Sequence, residues 1–223
     1  MVRGLLRGVG AGLVPVALVT VALTGCSSEG ESDRLQPAAS AKGAAEGQAQ
    51  GDGKGDAAKA AAKGGTVGGA GSPCALPVSF DLAAGWKPKA VKEDKQFGLT
   101  KQGPVTLVCE IDAKPAGNIG FLRVWTGGRA GDDPRKALEA FVAEEAKSRD
   151  KVAYAQIKAG EYAATEVTYL NTNESLDAPK KERALAFTTP KGVVVVHLGG
   201  LDTEEHEGML PAYELAKKSL HGA

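Results

Sequence analysis

The aromatic residues of this chain are confined to its second part, and this limits what can fold. Both tryptophans, all four tyrosines and all five phenylalanines lie after residue 74. In residues 27–73, glycine and alanine supply 23 of the 47 residues, and the only larger aliphatic side chains are Leu35 and Val67. Such a segment has too little apolar surface to offset the entropy of ordering it. We therefore expect one folded domain over residues 74–223, preceded by a disordered tether.

The first 25 residues have the pattern of an export signal. Arg3 and Arg7 precede an apolar run from Val9 to Leu23. As a helix this run would reach about 22 Å, which is short of the roughly 30 Å hydrocarbon core of a membrane. A positive start and a short apolar run are typical of secretory signal peptides. An uncleaved membrane helix is the alternative.

The segment Leu23-Thr24-Gly25-Cys26, which begins at the last residue of this run, resembles the lipobox of bacterial lipoproteins. In that family the cysteine thiol receives a diacylglycerol and the chain is cut just before it. A diacyl group supplies the two lipid chains that stable anchoring requires. The resemblance therefore implies a signal peptide over residues 1–25, lipidation of Cys26 and a tether over residues 26–73. It also implies a domain held at the extracytoplasmic face of the cell membrane.

With Cys26 assigned to lipid, two cysteines remain, Cys74 and Cys109. Exported proteins fold in an oxidising environment, so a disulfide between them is the default expectation. It would close a loop of about 36 residues and stabilise the fold by roughly 3–4 kcal/mol. Structural free thiols are one alternative. A reactive Cys109 thiol is another, although its apolar and acidic neighbours disfavour the thiolate.

The order of the predicted elements favours an α+β fold. Helical spacing predicts a helix over residues 134–149, with Asp132 or Asp133 as its cap and Pro134 in its first turn. A final helix ends near Leu220, and Pro211 predicts a break or a second start within it. Strands and helices in this order predict an antiparallel sheet with helices packed on it. The predicted strands cover residues 78–82, 97–101, 105–113, 121–126, 152–158, 162–170, 183–188 and 193–198.

Most of residues 74–223 resembles the PsbP-like α/β/α sandwich. The resemblance is carried by the opening strand that ends at Gly85-Trp86, the helix after Asp133-Pro134, and the valine-rich strand 193–198 leading to the closing helix 210–220. The chain also resembles actinobacterial lipoproteins of the LpqN type, which place this fold after a lipobox. Members of these groups act as accessory or binding modules, so the resemblance implies a non-catalytic binding role.

One group of residues has the composition of a metal site. Asp202 and His206 lie four residues apart among several glutamates, and on a helix they would share a face. One histidine with carboxylates could hold a divalent ion weakly. Acidic residues are also expected at a helix start, where they favour the positive end of the helix dipole. We therefore predict no metal and no cofactor, and keep Asp202 and His206 as weak candidates.

Three further residues are expected to be structural. Trp86 and Trp125 are predicted in the core, and the alternative is that they line a groove for a ligand or partner. His197 shares a strand face with Val193 and Val195 on strict alternation. We expect a neighbouring side chain to satisfy this histidine, which makes a catalytic role the less favoured interpretation.

The balance of charged residues and the lack of a hydrolase motif exclude some classes of function. Residues 74–223 contain 20 Lys and Arg against 21 Asp and Glu, without the clustered positive charge that nucleic acid binding needs. No serine lies in a Gly-x-Ser-x-Gly motif. The sequence therefore favours a non-enzymatic, membrane-anchored lipoprotein that binds a protein or envelope component. The alternatives are a carrier of a small apolar ligand or lipid, recognised by an aliphatic interior pocket, and a hydrolase with an unrecognised site.

Overall fold

The computed structural model describes residues 61–92 and 100–223. Cys26, the predicted signal peptide and most of the predicted tether lie outside the described residues. Within the described ranges, the chain forms antiparallel sheets with two helices packed on them, which confirms the α+β class. No helix in these ranges is long and apolar enough to cross a membrane.

The secondary structure is mostly strand. The helices are α1 (Pro134–Glu145) and α2 (Thr203–Ser219). The strands are β1 (Lys63–Val67), β2 (Val78–Ala83), β3 (Lys87–Ala90), β4 (Lys101–Gln102), β5 (Val105–Asp112), β6 (Gly120–Gly127), β7 (Arg149–Ala159), β8 (Tyr162–Asn171), β9 (Lys180–Thr189), β10 (Gly192–Gly200) and β11 (His221–Gly222). The larger sheet has the order β3-β5-β6-β10-β9-β8-β7, with β4 also paired to β5. The smaller sheet has the order β1-β2-β11.

The central strands are buried on both faces, because a helix packs on each side of the larger sheet. Along β10, Val193 and Val195 belong to the core formed with α1. Val194 and Val196 belong to the opposite core, formed with α2 and the smaller sheet. This explains why residues 193–196 are valine without alternation, since no position of this strand faces water.

Helix α1 begins where the sequence predicts. The Asp133 side chain accepts a hydrogen bond from the Arg135 backbone at the start of α1. This helix ends at Glu145 and not at Arg149 as predicted, because Arg149 is already the first residue of β7. Helix α2 is continuous through Pro211, so the predicted break is wrong.

The predicted boundary between tether and domain at residue 74 is also wrong. Strand β1 lies within the segment assigned to the tether, pairs with β2, and buries Val67 completely. The glycines of this segment allow close packing. A Cβ on Gly64 would lie 2.4 Å from the Ala84 Cα atom, and one on Gly68 would lie 1.9 Å from the Val78 carbonyl oxygen. Gly64 and Gly68 are therefore required by the packing of this segment, and the domain includes residues from at least position 61.

Cys74 and Cys109 form a disulfide, with Cα atoms 5.8 Å apart. This confirms the predicted pairing. Both cysteines are buried, and the bond joins the segment between β1 and β2 to the middle of β5. The two sheets are therefore linked covalently as well as by packing.

Candidate functional site

A surface pocket opens where the start of β6 meets the end of β10, on the side of the sheet that carries α1. Its volume is about 320 Å³. We call it the β6–β10 pocket. Gly199 keeps the space open, since a Cβ there would lie 3.1 Å from the His197 ring and 3.4 Å from a Glu182 carboxylate oxygen. The pocket is lined by Ile119, Gly120, Phe121, Arg123, Glu145, Leu176, Lys180, Glu182, His197, Gly199, Gly200 and Leu201.

A buried glutamate and a buried histidine form the floor of this pocket. Glu182 and His197 lie on the paired strands β9 and β10, and each is 1% exposed. The His197 Nε2 atom is 3.1 Å from the Glu182 Oε2 atom and 3.4 Å from the Tyr169 hydroxyl. His197 therefore has polar neighbours on its own sheet face, as expected, and the Phe141 ring packs against it with centroids 5.5 Å apart.

Glu182 carries a negative charge although it is buried. Burial alone would raise the pKa of its carboxyl group, but the hydrogen bond and charge of His197 and the charge of Lys180 together hold this pKa below its usual value. The Lys180 Nζ atom lies 2.8 Å from Glu182 Oε1 and donates to the Gly200 carbonyl at 2.9 Å. The lysine contact is an ion pair without an aligned hydrogen bond, so Oε1 has no well-placed donor among the described residues.

A second carboxylate completes the floor. Glu145 is the last residue of α1, and one of its oxygens accepts a hydrogen bond from the Gln102 side chain. One ligand-type atom from each of Glu145, Glu182 and His197 lies within 4.8 Å of the others. We call this group the Glu145–Glu182–His197 cluster. It combines two carboxylates and an imidazole at the bottom of an open pocket.

The mouth of the pocket is apolar. Ile119 is 52% exposed and Leu201 is 60% exposed, and the Leu201 backbone donates to the Ile119 carbonyl at 2.9 Å. Leu176 lines the same opening. Of the exposed large hydrophobic side chains in the described ranges, only Val152 on β7 lies elsewhere. The pocket therefore has apolar residues at its rim and charged residues at its floor.

The two tryptophans lie elsewhere. Trp86 is 7% exposed and Trp125 is 2% exposed, so both occupy core positions. Trp125 packs edge-on against Phe141 with ring centroids 5.3 Å apart. Neither tryptophan lines the β6–β10 pocket.

Asp202 and His206 do not form a ligand cluster among the described residues. The Asp202 side chain accepts a hydrogen bond from the Glu205 backbone at 2.9 Å and so caps α2. His206 is buried in the first turns of the helix. The acidic composition here is accounted for by the start of the helix, where both a cap and negative charge are favourable.

Sequence reasoning missed the Glu145–Glu182–His197 cluster because its members come from a helix and two strands far apart along the chain. No short motif contains them. A signal was nevertheless present in β9, where Glu182 shares the face of Ala184 and Ala186 and so points toward the core. A charged residue on an inward face requires a partner, and the same face of β10 carries His197.

His206 predicts a pH-dependent loss of stability. Burial lowers its pKa from 6.5 to about 4, with Glu182 opposing this shift and Arg183, His197 and Lys181 reinforcing it. The unfolded chain therefore binds more protons than the folded chain between pH 6.5 and pH 4, and stability falls as the pH decreases through this range. We expect His206 to account for a loss of about 3 kcal/mol between pH 7 and pH 4.

Urea unfolding at these two pH values tests this expectation, with His206→Gln as the comparison. The variant should lose less stability on acidification than the native chain, by about 3 kcal/mol. Equal pH dependence in the two chains would show that His206 is accessible to protons in the folded state.

The family model described as "uncharacterised lipoprotein" matches residues 44–220. This match covers most of the chain, and the chain belongs to that family. Membership implies a lipoprotein with a lipid anchor to a membrane. A search of the curated proteins found no match.

Proposed function

We propose that this protein is a non-catalytic binding module. Diacylated Cys26 anchors it at the extracytoplasmic face of the cell membrane, and it binds a protein of the cell envelope at the β6–β10 pocket. The family membership, the lipobox resemblance at Cys26 and the resemblance to LpqN-type lipoproteins with a PsbP-like domain support the anchored module. The observation that carries the binding site is the pair of exposed side chains, Ile119 and Leu201, at the mouth of one pocket.

A protein partner fits this arrangement better than a free apolar ligand. Exposed apolar side chains that cluster mark interaction surfaces, whereas single ones are common. A protein side chain with an apolar stem and a polar end would contact the Ile119 and Leu201 rim and direct its polar end toward the charged floor. Interfaces of this kind combine an apolar anchor with a few fixed polar contacts.

The lipid-carrier alternative has less support. A pocket of about 640 Å³ beside β3 and β5 lies at the surface and is lined by charged side chains that include Lys89, Lys92, Glu110 and Asp112. In the described ranges, large side chains such as Phe141, Phe187 and Tyr213 are buried against both faces of the larger sheet. A carrier needs an aliphatic interior cavity, and these packed layers do not favour one.

The hydrolase alternative also has less support. A histidine with a glutamate partner can act as a base, but hydrolysis through a covalent intermediate needs a nucleophile within hydrogen-bond reach of it. Among the described residues, those that line the β6–β10 pocket include no serine, threonine or cysteine. The Glu182 and His197 pair is better suited to binding than to nucleophilic catalysis.

Site-specific photo-crosslinking in native membranes tests the proposal. A photoreactive residue at position 119 or 201 should capture one and the same protein, at a yield at least about tenfold above position 152. Val152 is the matched control, because it is an exposed aliphatic residue on a different strand. Leu201→Asp should abolish capture from position 119, and Cys26→Ala should release the chain from the membrane fraction.

Other outcomes would contradict the proposal. Equal capture from positions 152 and 201 would show that the pocket is not the binding surface. Crosslinks from both rim positions to lipid alone would favour the carrier. Retention of Cys26→Ala in the membrane fraction at the native level would remove the lipid anchor.

A further inference from the structure

We infer that the Glu145–Glu182–His197 cluster binds a divalent metal ion of the zinc class at the floor of the β6–β10 pocket. The donor atoms are already close, since one ligand-type atom from each residue lies within 4.8 Å of the others. Ligand atoms around a tetrahedral zinc ion are about 3.4 Å apart. The His197 Nε2 and Glu182 Oε2 atoms, 3.1 Å apart, already have close to this spacing.

The type of donor favours zinc over calcium or magnesium. An imidazole nitrogen suits zinc and neighbouring transition metals, whereas magnesium and calcium prefer an all-oxygen set. Here one histidine is combined with two carboxylates. Three protein ligands leave a fourth position open to the pocket, as in zinc sites that hold water or a ligand group.

Two buried polar atoms at this floor lack an aligned hydrogen bond. The His197 Nδ1 atom has no hydrogen-bond partner among the described residues, and the Glu182 Oε1 atom has only its ion pair with Lys180, although both residues are 1% exposed. Buried polar atoms of this kind normally have a partner. A bound cation would engage the glutamate directly and polarise the imidazole.

The floor can also be reached from solvent. Gly199 leaves open the space beside His197 and Glu182, and the pocket continues from there to the Ile119 and Leu201 rim. A side chain at position 199 would fill the space that a metal ligand or water needs. The glycine at this position is therefore consistent with an entry path.

Lys180 would compete with a metal ion for the Glu182 carboxylate. Its ammonium group pairs with Glu182 and neutralises that carboxylate when no metal is bound. Its side chain is 18% exposed and lines the pocket, so it can turn toward the solvent when a divalent ion displaces it. The remaining cation at this pocket, Arg123, is held by Glu110 at 3.8 Å. Two carboxylates then balance the charge of the ion.

Titration with zinc chloride tests the inference. The protein is full-length, carries no polyhistidine tag and is solubilised in detergent. We expect one zinc ion per chain. Glu145→Gln and His197→Gln should each weaken binding by at least about 100-fold, because loss of a direct ligand costs more than loss of an outer contact. Lys180→Met should tighten binding about tenfold, because it removes the competing charge.

The control is His221→Gln, which removes an exposed histidine near the C-terminus and should leave zinc affinity unchanged. Glu145→Gln is the main variant, because Glu145 is only partly buried and is not part of the Glu182 and His197 pair. Its far-ultraviolet circular dichroism and unfolding midpoint should match those of the native chain.

Several results would overturn the inference. One is the absence of zinc binding at millimolar concentration, and another is an unchanged zinc affinity in Glu145→Gln. The others are loss of zinc binding in His221→Gln and tighter binding of magnesium or calcium than of zinc. The site does not depend on a protein at the pocket mouth. Since the titration uses zinc alone and the crosslinking uses the rim positions, failure of one experiment leaves the other proposal standing.

Discussion

Replacing Glu182 by alanine is expected to lower the free energy of unfolding by roughly 3–5 kcal/mol. Glu182 is 1% exposed, and its carboxylate contacts both His197 and Lys180. Its removal leaves a buried imidazole and a partly buried ammonium group without their shared carboxylate. An uncompensated buried charge costs far more than the pair contributes by itself. Urea denaturation at neutral pH measures the loss directly.

Two variants control this measurement. Glu182→Gln keeps the shape and an acceptor oxygen, so its loss should be smaller than that of Glu182→Ala. Glu174→Ala removes an exposed glutamate in the loop before β9 and should change stability by no more than about 0.5 kcal/mol. A loss below about 1 kcal/mol for Glu182→Ala would show that Lys180 and His197 do not depend on this carboxylate.

Removal of the disulfide should cost about 4 kcal/mol. The bond joins residues separated by 35 positions, and in the chain-entropy model a loop of this length restricts the unfolded chain to that extent. The double variant Cys74→Ala with Cys109→Ala should therefore unfold at a midpoint about 10 °C below that of the native chain. Scanning calorimetry measures the difference.

Reduction supplies an independent check on the disulfide. A reducing agent should lower the midpoint of the native chain by a similar amount and leave the double variant unaffected. If the reducing agent had no effect on the native chain under unfolding conditions, a stabilising role for the bond would be refuted. Cys26 does not enter this comparison, because it is unchanged in both chains.

The periodicity of apolar residues predicted the strands and helices that bury one face or both faces. In β5, buried and half-buried residues alternate strictly from Val105 to Asp112, and the sequence places this strand within one residue of its end. Strand β3 was missed because its sequence, Lys-Pro-Lys-Ala, contains no apolar alternation and its side chains are largely exposed. It is an edge strand, where exposed lysines and proline are common.

The missed strand β1 and the missed cluster share one physical cause. Composition and local pattern report how much apolar surface a segment can bury, but not what lies opposite it. Gly64 and Gly68 could be recognised as packing residues only once the β2 backbone was placed against them. Similarly, Glu182 and His197 are 15 residues apart in the chain and become neighbours only through the register of β9 and β10.

The position of the disulfide has a mechanical consequence if the proposed lipid on Cys26 holds the domain from its N-terminal side. Tension on the chain acts first on β1, which is held by its pairing with β2 and by a hydrogen bond from the Ala61 backbone to the Pro211 carbonyl. If β1 separates from β2, unfolding stops at Cys74, because Cys74 is bonded to β5 in the larger sheet. The released segment would lengthen the chain that precedes the folded domain by roughly 40 Å, while the β6–β10 pocket and its supporting strands remained intact.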